Sequence, residues 1–71
     1  MPEIIRPDAG KVLNQEIKNR GLKQGYVADK IGISHAYMSQ LVNGSKKVST
    51  DVAVRASIIL GVPLDIFLKK S

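Results

Sequence analysis

The sequence predicts an all-α domain, a compact bundle of five short helices. Two observations carry this. The apolar residues recur at helical spacing almost from end to end. Each helical stretch is closed by Gly or opened by Ser, Thr or Pro, the residues that cap and break helices. With no cysteine, no disulfide or thiolate metal site can staple so small a chain. Its 71 residues make one domain, 1–71, with its core over residues 8–69.

The first helix is predicted over residues 8–20. Pro7 and Asp8 suit its start, since Pro is preorganised there and Asp favours the positive end of the dipole. Ala9, Val12, Leu13 and Ile17 share one face. Arg20 lies in the last turn and Gly21 takes the cap. The second helix runs over residues 24–31, with Val27, Ala28 and Ile31 inward, and ends at Gly32. After Ile33, Ser34 is the N-cap of a third helix over residues 35–42, whose apolar side is Met38, Leu41 and Val42. Asn43-Gly44 is a strong stop, and Ser45, Lys46 and Lys47 form a basic loop. Ser49 or Thr50 caps the fourth helix, which buries Val52, Ala53, Ala56, Ile59 and Leu60 and stops at Gly61. Pro63 opens a fifth helix that continues to about Lys69, with Leu64, Phe67 and Leu68 apolar.

Two short helices joined by a tight, Gly-containing turn make a helix-turn-helix unit, here residues 24–43. Its steric needs are met. Ala28 stands where the two helices must approach, and Gly32 stands where the turn needs a positive φ. The outward residues of the third helix are His35, Ala36, Tyr37, Ser39, Gln40 and Asn43, none of them acidic. Eleven Lys and Arg against six Asp and Glu give a net charge of +5, a bias towards anionic partners and nucleic acid first.

The stretch from Leu22 to Phe67, about two-thirds of the chain, resembles the Cro/CI-type (XRE) helix-turn-helix family of the lambdoid phage repressors. The match lies in Leu22-Lys23-Gln24, in Val27-Ala28-Asp29-Lys30-Ile31-Gly32-Ile33-Ser34, and in Met38, Leu41, Asn43-Gly44 and Leu60-Gly61-Val62. The resemblance implies a lambda repressor-like domain that binds double-stranded DNA with the third helix in the major groove. It implies base contacts from His35, Ala36, Tyr37 and Gln40. Phosphate contacts are implied for Lys23, Gln24, Ser39, Asn43, Lys46 and Lys47. The chemistry suits these roles: Gln40 can pair with the adenine edge, Ala36 can meet a thymine methyl, and His35 can donate to guanine. Lys23 departs from the small capping residue usual in the family and leaves the second helix without a side-chain cap. Gly25 is a poor helix former.

The resemblance also implies two copies on a pseudo-palindromic operator. A weak homodimer is expected, on or off DNA, and so short a chain leaves its contacts to the fifth helix, at Leu64, Ile66 and Phe67. The expected function is a small Cro-like phage or prophage repressor. An antirepressor that occupies a partner repressor, and a DNA-binding antitoxin, are the alternatives. The sequence shows no nucleophile paired with a base, no phosphate-cradling loop and no metal cluster, so neither catalysis nor a cofactor is expected. Asp29 and Lys30 read as an exposed face, and Lys18, Lys69 and Lys70 as solvated charges. No apolar run reaches the ~18 residues that span a bilayer, and residues 1–8 lack the order of a signal peptide. A cytoplasmic, nucleoid-associated protein is expected.

Overall fold

The computed structural model describes residues 4–69. The Lys70 read above as a solvated charge lies outside them. Among the described residues four α-helices follow one another: α1 (Ala9–Asn19), α2 (Gln24–Ile31), α3 (His35–Asn43) and α4 (Thr50–Leu60). A 3-10 helix, Leu64–Phe67, follows α4.

Capping chemistry sets most of the boundaries. The Ser34 hydroxyl accepts from the Tyr37 N–H at 3.0 Å and starts α3. The Ser49 hydroxyl accepts from the Val52 N–H at 3.2 Å and starts α4. Gly32 closes α2 with φ 92°, a left-handed conformation that costs any other residue a steric penalty. The Gly32 and Ile33 N–H groups both donate to the Ala28 carbonyl, which draws the chain into the corner between α2 and α3. Asp8 stands at the N-cap of α1, at the helix start where the sequence places it, but makes no side-chain cap. Its carboxylate instead accepts two hydrogen bonds from Arg6, both at 2.9 Å.

The core is built from one stripe of each helix. Leu13, Val27, Ala28, Met38, Leu41, Ala53 and Phe67 are fully buried. Ile5 and Val48, which lie outside the helices, are also core residues. Gly10 of α1 is buried against the backbone of α3. Val12, Ile33, Val42 and Ile59 are only partly buried at the edge of the core. At Ser57, buried on α4, the hydroxyl donates to the Val54 carbonyl at 2.7 Å, so its burial leaves no polar group unpaired.

The last element departs from the expected fifth helix. It is one turn of 3-10 helix, and the chain then extends. Leu68 pairs antiparallel with Ile5. The Arg6 N–H donates to the Phe67 carbonyl and the Lys69 N–H to the Ile4 carbonyl, each at 2.8 Å. The reason is competition for backbone groups: the Phe67 carbonyl is held by the N-terminal segment across the molecule. Arg6 adds a bond from its guanidinium to the Ile66 carbonyl. Phe67 is therefore a core residue rather than the dimer contact expected of it, and Leu64 and Ile66 are partly buried against the core.

Candidate nucleic-acid interface

α3 is seated by contacts on its inner face. Met38 and Leu41 are fully buried against neighbouring helices. The stripe is apolar at positions 38 and 41, and the 3.6-residue period therefore turns positions 36, 39, 40 and 43 outward. Ala36, Ser39, Gln40 and Asn43 are exposed, as is His35 in the first turn. Tyr37 is not on this outer row; it is partly buried and packs on the core.

α1 and α4 fix where this face points. Gly10 lets α1 approach so closely that a Cβ there would overlap the Leu41 carbonyl oxygen of α3. From α4, the Arg55 guanidinium donates to the Ile31 carbonyl at 3.0 Å, closing the C-terminal end of α2, and to Asp51 at 3.2 Å. Sequence reasoning missed both. Arg55 sits one helical turn after Asp51, a pairing visible in the sequence, but its longer reach to Ile31 is a tertiary contact.

Around the α3 face lie donors and cations. Lys23 is exposed at the N-terminus of α2, where no side chain caps the free N–H groups. Gln24 follows it, partly buried. Past the other end of α3, Lys46 and Lys47 are exposed. The Asn43 amide oxygen accepts from the Ser45 N–H at 2.8 Å. That leaves the Asn43 NH₂ free to donate outward. The Lys46 N–H donates to the Gln40 carbonyl and holds the basic loop against the end of α3.

One acid enters the site from the neighbouring helix. Asp29 of α2 accepts from His35 Nε2 at 2.9 Å, with both side chains about two-thirds exposed. Asp29 and Lys30 are both exposed, as the sequence predicts; the Lys30 ammonium stands over the Tyr26 ring at 5.5 Å. The available signal was Gly25, one turn before Asp29, which leaves a slot on that face of α2. A Cβ on Gly25 would come within 2.9 Å of the His35 ring. Gly25 is therefore the space the imidazole occupies. Among the described residues, no three His, Asp or Glu side chains converge to hold a metal ion.

An outward α3, clamped by α2 through Ala28 and the Gly32 corner, defines a helix-turn-helix protein. A family model for the helix-turn-helix matches residues 13–67, and the chain belongs to this XRE-type family. No curated protein sequence matches the chain. Among solved structures, the clp gene regulator ClgR of Corynebacterium glutamicum is similar, with a TM-score of 0.80 at 23% identity over 93% of this chain and 86% of that one. The N-terminal DNA-binding domain of SinR from Bacillus subtilis matches with a TM-score of 0.80 at 21% identity, covering 93% of this chain and 97% of that one. The P22 c2 repressor, solved with a synthetic operator, matches with a TM-score of 0.75 at 19% identity over 89% and 96%. At these identities the likeness speaks for the fold. No described helix is long and apolar enough to cross a membrane.

Proposed function

We propose that this chain is a transcriptional regulator that binds double-stranded DNA with α3 in the major groove. One observation carries the reading: the outer row of α3 has no acidic side chain, is rich in hydrogen-bonding groups, and is flanked at both ends by exposed lysines. Gln40, Ala36 and His35 face the base edges, and Tyr37, being half-buried, is confined to a sugar or base at the margin. Lys23, Gln24, Ser39, Asn43, Lys46 and Lys47 hold phosphates. The free N–H groups of α2 point at one of them. The P22 c2 repressor, a similar fold, was solved with a synthetic operator. A Cro-like repressor of phage or prophage type, acting in the bacterial cytoplasm on the nucleoid, is the function that fits.

Two copies are expected on a pseudo-palindromic operator, with half-sites ~34 Å apart or a multiple of that. With Phe67 in the core, the dimer has Leu64 and Ile66 to draw on, and Ile58 of α4, which is 73% exposed.

The test is a selection on random duplex DNA followed by a salt titration. A motif with two half-sites is expected. If each subunit meets about four phosphates, the log–log slope of affinity against salt is near −7. Failure to enrich any motif would refute sequence-specific regulation and move the reading to the antirepressor; insensitivity to salt would refute the phosphate contacts.

A further inference from the structure

The His35 ring is held by two residues of α2 that the DNA-contact reading does not use. Asp29 Oδ1 stands 2.9 Å from Nε2. Gly25, one turn earlier on the same face, leaves the space in which the ring lies; a Cβ there would stand 2.9 Å from Cε1 and 3.3 Å from Nδ1. An ionised carboxylate only accepts hydrogen bonds. The proton of that bond is therefore on Nε2. A neutral imidazole has one N–H, so Nδ1 is then left with its lone pair.

We propose that Asp29 and Gly25 are positioning residues that select which ring nitrogen His35 offers. With Nε2–H donated to Asp29, the nitrogen offered to a ligand is Nδ1. This builds on the reading of α3 as the base-contacting helix and changes one part of it. While the ring is neutral, Nδ1 is an acceptor and turns from guanine, whose major-groove edge accepts, to the amino groups of adenine or cytosine. The charged neighbours do not compete for the ring. Lys30 of α2 is over Tyr26, and Arg55 of α4 is bound to Ile31 and Asp51. Within α3 the other titratable side chain is Tyr37, partly buried against the core.

The test has two arms. In the first, nitrogen-15 NMR of the full chain without DNA reads the ring nitrogens of neutral His35. Wild type is expected to show a fully protonated Nε2 and a bare Nδ1. In Asp29→Ala and Gly25→Ala the two signals move towards each other as the tautomers mix. A proton on Nδ1 of the neutral wild-type ring, or variants indistinguishable from wild type, overturns the proposal. Asp29 is exposed, and circular dichroism checks that both variants stay helical. In the second arm, base preference is selected on random duplex DNA for wild type and for Asp29→Ala. Wild type is expected to favour adenine or cytosine over guanine roughly tenfold at one base pair of each half-site, and Asp29→Ala to relax that choice. If the first arm holds and Asp29→Ala leaves base choice unchanged, the seat stands and base reading by His35 falls. If no duplex is selected at all, the DNA reading falls and the first arm alone decides the seat.

Discussion

Replacing Gly10 by alanine tests how α1 holds the recognition helix. By propensity alone the change is favourable, since Ala is better than Gly inside a helix by about 0.5–1 kcal/mol. The structure reverses the sign. The new methyl would overlap the carbonyl oxygen of Leu41 and lie 2.9 Å from its carbonyl carbon and 3.5 Å from the Val42 Cα. All three are backbone atoms, so no rotamer change relieves the contact; α1 and α3 must part. Overpacking of this kind costs typically 1–3 kcal/mol and occasionally more, and rigid atoms on both sides place Gly10 at the upper end, about 3 kcal/mol. The net loss is then about 2 kcal/mol. A domain of this length has roughly 4–11 kcal/mol in all. At about 4–8 °C per kcal/mol, the midpoint should fall by about 8–16 °C. Thermal and urea unfolding followed by circular dichroism measure it. An unchanged or raised midpoint would refute the close approach of α1 to α3. The variant should also bind DNA more weakly when fully folded, because Leu41 anchors the turn that presents Asn43 and Lys46.

Gly25→Ala should do the opposite, raising stability by about 0.5–1 kcal/mol, because the atoms in its way belong to the His35 ring, which can swing out; a lower midpoint would contradict that. Arg6 holds the Asp8 carboxyl below its usual value of 3.8, chiefly through their hydrogen bond. A carboxyl lowered on folding gives stability that is present above its unfolded pKa and lost as pH falls through the folded one. Melts of wild type and Asp8→Asn should therefore differ at neutral pH and converge as pH drops below 3.8. Gln40→Ala should cost about 1–3 kcal/mol on the preferred duplex and relax choice at one base pair, whereas Lys46→Ala should weaken all duplexes alike. Equal behaviour of the two in a duplex panel would undo the division between base and phosphate contacts. Arg55→Ala should cost about 1 kcal/mol, because it opens the Ile31 carbonyl at a site already half in water.

Local rules settled much of this protein. Ser34, Ser49, Gly32 and Gly61 mark helix ends through hydrogen bonds and dihedral angles that depend on one or two neighbours, so α2 falls where its spacing predicts and α3 extends one residue further. Periodicity likewise sends Met38 and Leu41 inward and Gln40 and Ser39 outward. Tertiary contacts decided the rest. Phe67 became core and the last helix shrank to a 3-10 turn because the N-terminal segment, some sixty residues away, takes the backbone groups a longer helix would use. Gly10 and Gly25 look alike in a sequence, two weak positions inside helices. Packing separates them, one facing the backbone of α3 and the other the His35 ring, because what a missing side chain makes room for depends on the helix brought against it.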